Sequence, residues 1–336
     1  MAEATGAQRW TRPEWLAETR AWIRERLAGL GIEEAGELEQ PHVRWWSTVL
    51  RVPTSDGDFY FKALSPLHLF EAALTEALAR WTPDRVTELV AVDEGRGWML
   101  MRDGGTRFRE VLRGTADLRH WERVLPLYAQ LQIDVAPHRE ELLALGVPDQ
   151  RLYRLPGDFE RLLDERDLLL TGEEALTADE HERLRALVPD VAAMCERLAA
   201  AGLPETLQHD DFHDGNVFVQ DGSYRVFDWG DSCVSHPFHT LVVTLRSIAH
   251  RLDLEPGAPE LVRLRDAYLE PWAPFADADS LGVAFEIAYR TGTIARAVAW
   301  HRFVSAREDA SSEEDASSVP YGLRLFLEGG PIGSWR

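Results

Sequence analysis

The 336-residue chain carries 36 basic and 57 acidic side chains, a formal charge of −21, with 45% hydrophobic and 28% charged residues. This is the composition of a globular protein rather than a disordered one, and its acidic excess argues against nucleic acid as a partner, because phosphate binding wants a basic surface. At about 150 residues per domain the length points to two units, large enough to bury a core without disulfide or metal staples. Among the 36 basic residues there is one lysine, Lys62. Where Arg has replaced Lys everywhere else, the survivor marks a place that wants a compact ammonium rather than a guanidinium fork. Two cysteines, Cys195 and Cys233, fit a reducing compartment. The start, MAEATGAQRW, lacks the basic and apolar stretches of a signal peptide, and no stretch approaches the ~20 apolar residues that cross a bilayer. A cytoplasmic protein with no membrane partner is expected.

Residues 13–30 open with Pro13, suited to a first helical turn, and place Trp15, Leu16, Thr19, Trp22, Ile23, Leu27 and Leu30 on one stripe. A helix ending at Gly31 is predicted. Between 43 and 64, VRWWSTVLRV and DFYFKAL flank the turn-forming PTSDG and predict a hairpin with Lys62 near the end of its second strand. Ser65-Pro66 is read as capping a helix over 66–81, with Glu71 on the flank of its apolar stripe and Glu76 pointing away. VTELVAVDEGRGWMLM predicts a second strand pair turning at Glu94-Gly95, and Asp103-Gly104-Gly105 breaks the pattern. The first unit, mixed α+β, is therefore placed at residues 1–103.

The second unit, 104–336, reads as mainly helical, with 3.6-residue periodicity over 117–133, 158–170, 178–201, 258–270 and 281–304. Thr177 to Glu180 has the form of a capping box, and Pro189 must kink or restart the helix that follows. One β island interrupts the helices, VFV (217–219) and YRVF (224–227) around an Asp-Gly turn. The acidic, low-complexity run 306–318 is expected to be a surface loop.

The island is bracketed by concentrated polarity: His209-Asp210-Asp211-Phe212-His213-Asp214-Gly215-Asn216 before it and Asp228-Trp229-Gly230-Asp231 after it. A hairpin returns its outer ends to one place, so Asn216 and Asp228 are expected to converge as hard oxygen ligands suited to Mg²⁺. Asp211, at the rim, is placed to orient an incoming hydroxyl and accept its proton. With Lys62 as the cation for nucleotide phosphates and Glu71 to hold it, these are the parts of a phosphoryl-transfer site.

On these residues the chain resembles the aminoglycoside phosphotransferase and choline kinase-like family, small-molecule relatives of protein kinases. QHDDFHDGNVFV is similar to the family's catalytic loop, VFDWGD to its metal-binding strand end and FYFKAL to the strand of its phosphate-binding lysine; the likeness runs from about Pro41 to about Leu245. It implies a two-lobed kinase-like fold with a small β-rich lobe and a larger helical one. It implies Asp211 as the catalytic base, Lys62 and Glu71 at the nucleotide, and Asn216 and Asp228 as metal ligands. ATP or GTP is the implied phosphate donor, its base near a hinge around Met99–Asp103, with Met101 among the contacts.

The chain departs from the family at Asp210, where the family has Gly, and at Asp214, where it often has Pro. Two extra carboxylates favour a cationic acceptor, with Asp231 and Glu286 as further candidates to meet it. No Gly-x-Gly-x-x-Gly precedes Lys62, so the phosphate-covering turn is assigned to Arg44–Ser47, with Ser47 as the hydroxyl contact. The expected activity is transfer of a nucleotide γ-phosphate to a hydroxyl of an antibiotic, amino sugar or amino alcohol. Three other readings stay open: a nucleotide-binding pseudokinase, a metal-dependent hydrolase built on His209 and His213, and a protein kinase.

Overall fold

The computed structural model describes residues 6–306 and 313–328. They form two compact units, one holding 6–108 and 217–230, the other 109–216, 231–305 and 313–328. The division thus falls after Phe108 rather than after residue 103, and the hairpin groups with the first unit.

The first unit is an antiparallel five-stranded sheet of β1 (Glu39–Val43), β2 (Ser47–Thr54), β3 (Gly57–Leu64), β4 (Leu89–Asp93) and β5 (Trp98–Arg102), in the order β1-β2-β3-β5-β4. Helix α1 (Pro13–Ala28) buries Trp22, Ile23 and Leu27 with Leu50, Val52, Phe59, Phe61, Trp98 and Leu100 from the sheet. Trp22, Phe61 and Trp98 meet edge-to-face with centroids 5.5–5.8 Å apart, the arrangement their quadrupoles favour. Leu30 lies beyond the end of α1 and is 54% exposed, so the stripe is one residue shorter than expected.

Helix α2 (Phe70–Trp81) starts later than the sequence suggested. Pro66–His68 forms a 3₁₀ turn, and the Ser65 hydroxyl engages the His68 ring at 3.1 Å instead of capping a helix. The island is a hairpin of Val217–Gln220 and Ser223–Val226, extended by the short strand Thr106–Arg107. Asp221 and Gly222 take φ of 51° and 79°, as a two-residue type I′ turn requires. Gly104 has no freedom to be anything larger: a Cβ there would lie 2.2 Å from Phe218 Cδ2.

The second unit holds the helices Trp121–Val135, Leu155–Asp164, Ala178–Ala186, Val188–Ala200, Leu241–Leu252, Pro259–Leu269 and Ala278–Ser305 and a two-stranded pair, Thr206–Gln208 with Cys233–Ser235, on which Trp121–Val135 packs. Thr177 and Glu180 form the capping box, and Pro189 restarts the helix at Val188. Gln132 is fully buried and donates to the Leu207 and Pro237 carbonyls while accepting from the Tyr268 hydroxyl. His239, also buried, lies between the Ser235 and Thr291 hydroxyls, 3.0 Å from each. The expected loop at 306–318 needs correction. Residues 307–312 lie outside the described residues, but from Glu313 the chain is helical to Leu327, burying Val319, Leu323 and Phe326. Apolar spacing downstream overrides the acidic composition. No described helix is long and apolar enough to cross a membrane.

Candidate active site

In the first unit, strand alternation sends Phe61 into the α1 side of the sheet and Lys62 to the opposite face. Lys62 is 8% exposed, and its ammonium donates to Glu71 Oε1 and Asp228 Oδ1, each at 2.6 Å. Two of its three ammonium donors are thereby used. Burial works against the Lys62 charge, but Asp228 and Glu71 outweigh it and hold the ammonium above its usual range. Glu71, in the first turn of α2, is 2% exposed. Burial pushes its carboxyl up to about 7, against the opposing pull of Lys62.

The Trp229 backbone N–H also donates to Glu71. Gly230 clears space for that carboxylate, since a Cβ there would sit 3.0 Å from Oε2. Asp228 adopts φ 66° and its side chain is half exposed. Ser47 opens β2 almost fully buried, its hydroxyl 3.3 Å from His42 Nε2. Met101 lies half-buried on β5, in register with Tyr60 and Leu89.

In the second unit the loop His209–Asn216 is held from several sides. The Tyr128 hydroxyl accepts from the His209 N–H at 2.9 Å, and the Thr244 hydroxyl donates to the Phe212 carbonyl at 2.7 Å. Phe212 stacks on Tyr128 at 4.1 Å. The Asn216 side-chain amide donates to Asp211 twice, to the backbone oxygen at 2.9 Å and to Oδ2 at 3.1 Å. Both amide hydrogens are thereby used, which fixes the orientation of the group and leaves Oδ1 as its acceptor atom.

Asp211 Oδ2 also meets His213 Nε2 at 3.3 Å, and Oδ1 meets Arg296 Nη2 at 3.2 Å. Burial alone would raise the Asp211 carboxyl, yet the His213 hydrogen bond and the Arg296 charge hold it well below the usual carboxylate range. His213 moves the other way: burial lowers it, but the Asp211 bond and charge prevail and raise it.

The two carboxylates that depart from the family are both buried and paired. Asp210 takes φ 60°, a left-handed conformation that glycine adopts without the strain a side chain meets. Its carboxylate meets Arg296 Nη1 at 3.2 Å and accepts from Gln208 at 2.9 Å. Asp214 is paired with Arg109 at 3.1 Å. Both pairings lie within the second unit, Asp210 with Arg296 and Asp214 with Arg109. Asp231 ends a 3₁₀ turn, exposed, and adds to the negative field on Arg296; Glu286 is half-buried on helix Ala278–Ser305.

The hydrolase reading fares poorly, because both His213 nitrogens are engaged, Nε2 by Asp211 and Nδ1 by the Gly215 N–H at 2.8 Å. Among the described residues no group of three His, Cys, Asp or Glu side chains is arranged to hold a metal. Arg296 is the residue that sequence reading missed. It is one arginine among many, 85 positions from the loop it serves, and nothing in its local pattern marks it.

Residues 70–278, well over half the chain, match the model of the phosphotransferase enzyme family. Solved structures share the fold along nearly the whole length. An ethanolamine kinase of Plasmodium vivax is similar with a TM-score of 0.64 at 15% identity, over 95% of this chain and 89% of the other. A choline/ethanolamine kinase family protein of Mesorhizobium loti gives 0.62 at 16%, over 94% and 96%. A macrolide 2′-phosphotransferase of Brachybacterium faecium gives 0.54 at 16%, over 90% and 97%. No curated protein sequence matches the chain.

Proposed function

This chain belongs to the phosphotransferase enzyme family, and on that premise we propose that it transfers the γ-phosphate of ATP or GTP to a hydroxyl of a small molecule, with Asp211 as the base. The observation that carries the reading is the Asp211 carboxylate, held anionic and oriented by Asn216, His213 and Arg296. In this mechanism the acceptor oxygen attacks the γ-phosphorus, the bond to the β–γ bridging oxygen breaks, and Asp211 takes the hydroxyl proton. Lys62 binds the nucleotide phosphates, and Glu71 keeps its ammonium extended toward them. Ser47 and Met101 belong to the nucleotide side of this assignment.

Asn216 and Asp228 would hold the Mg²⁺. Two features fit that role: the Asn216 amide is turned so that its oxygen is the acceptor left, and the Asp228 carboxylate is half exposed. When bound, Mg²⁺ supplies neutralisation of charge on the transferred group.

For the acceptor, amino alcohols such as ethanolamine and choline and antibiotics such as macrolides are the first candidates, as these are named for proteins of the same fold. Asp231 and Glu286 are the carboxylates assigned to an amine on the acceptor. A cytoplasmic setting agrees with a nucleotide-dependent enzyme carrying two buried free thiols.

The test is nucleotide consumption with Mg²⁺, ATP and GTP in parallel, over pools of aminoglycosides, macrolides, amino sugars, choline and homoserine. Turnover that depends on an acceptor and vanishes in Asp211→Asn supports the assignment; undiminished turnover in that variant sinks it. Thermal stabilisation by Mg-nucleotide with silence in every pool would favour the pseudokinase reading.

A further inference from the structure

Arg296 makes more contacts than a charge-neutralising residue needs. From helix Ala278–Ser305 its Nη1 reaches the Asp210 backbone oxygen and the Asp210 carboxylate, and its Nη2 reaches Asp211 Oδ1. The guanidinium lies 5.6 Å over the Trp300 ring, and the side chain is 19% exposed. A planar fork gripped on two edges and one face has little freedom to turn.

Asp210 is the matching half. A buried carboxylate is tolerated only when paired and hydrogen-bonded, and this one stands in a backbone conformation that favours glycine. Its retention there is explained by what it holds, because it and Gln208 form the rigid side of the grip on Arg296.

The effect falls on Asp211. A carboxylate offers about four acceptor positions. Among the described residues, Oδ2 receives Asn216 and His213, whereas Oδ1 receives Arg296 alone, so the open position is on Oδ1. We propose that Arg296, anchored by Asp210, is a positioning residue that sets the rotation of the Asp211 carboxylate, so that the free lone pair of Oδ1 faces the acceptor hydroxyl. This rests on the reading of Asp211 as the base.

The test uses the full chain and MgATP, with water as the acceptor, in Arg296→Met, Arg296→Lys, Asp211→Asn and the double variant Asp211→Asn/Arg296→Met. The expected result is a loss of kcat of about 10-fold or more in Arg296→Met, with KM for MgATP changed less than about 3-fold, and no further loss when Arg296→Met is added to Asp211→Asn. Arg296→Lys, which keeps the charge without the fork, is expected to fall between wild type and Arg296→Met, and it serves where the methionine variant does not fold.

A second readout is independent of rate: crystal structures of Arg296→Met or Arg296→Lys, in which the Asp211 side chain is expected to rotate. An unrotated Asp211 in both variants overturns the proposal. So do losses that multiply in full on the Asp211→Asn background. If Asp211→Asn itself keeps wild-type turnover, the assignment of the base fails instead, which is a different result from an Asp211-dependent enzyme indifferent to Arg296.

Discussion

Acidification from pH 6.5 to 5.0 should weaken the second unit through two imidazoles that the fold keeps neutral. His236 and His239 are fully buried beside one another, and burial depresses both, His239 to about 3 and His236 well below its ordinary 6.5. The unfolded chain takes up their protons at about 6.5, where the native state does not, so stability present above 6.5 is lost as pH falls toward the native values. Each such group contributes a slope of about 1.4 kcal/mol per pH unit in that window. At pH 5.0 the loss from His239 alone is therefore about 2 kcal/mol.

Replacement by glutamine preserves a polar partner for Ser235 and Thr291 but cannot titrate. His239→Gln should thus be less stable than wild type at pH 7.5, with the gap narrowing by about 2 kcal/mol at pH 5.0. Urea unfolding followed by tryptophan fluorescence at four pH values measures both slopes, and carboxylates common to the two proteins cancel in the difference. Parallel slopes between pH 6.5 and 5.0 would refute the reasoning.

The remaining expectations concern single substitutions. Asp211→Asn should lower turnover by ~10²–10⁴-fold and leave nucleotide affinity within about 3-fold, as isothermal titration with a non-hydrolysable analogue would register. Lys62→Met should weaken Mg-nucleotide binding by about 10-fold or more. It also strands a buried carboxylate whose native value already lies above its unfolded one. Stability from such a group is lost as pH rises through its native value, so the melting temperature of Lys62→Met should fall further below wild type at pH 8 than at pH 6. Gly104→Ala drives a methyl into the Phe218 ring and should cost about 1–3 kcal/mol in equilibrium unfolding; an unchanged midpoint would show that the ring moves aside freely.

Local chemistry made much of this molecule readable. The α1 stripe, the hairpin around Asp221-Gly222, the Thr177 capping box and the Pro189 restart each depend on residues within a few positions of one another. The pairing of Lys62 with Glu71 was legible too, since a strand lysine and a helical glutamate nine residues on leave few other geometries. The missed features are non-local or short. Thr206–Gln208 and Cys233–Ser235 have three residues each, too few to show a period of two. Helix Glu313–Leu327 begins in a run whose composition reads as solvated. The pairing of Asp210 with Arg296 depends on a helix far along the chain, so the local sequence does not show that this carboxylate is internal structure.

The first unit is not one stretch of chain. Residues 217–230 close it, supplying the hairpin that pairs with Thr106–Arg107 and the Asp228 that receives the Lys62 ammonium. During synthesis, therefore, the sheet bearing Lys62 leaves the ribosome more than a hundred residues before its last pieces exist. Until residue 230 is made, Phe218 is missing from its place against Gly104, and the lysine lacks its Asp228 partner. A fragment cut after Phe108 would remain in that unfinished condition permanently, whereas a permuted gene that encodes 217–230 beside β5 would let the unit complete itself early.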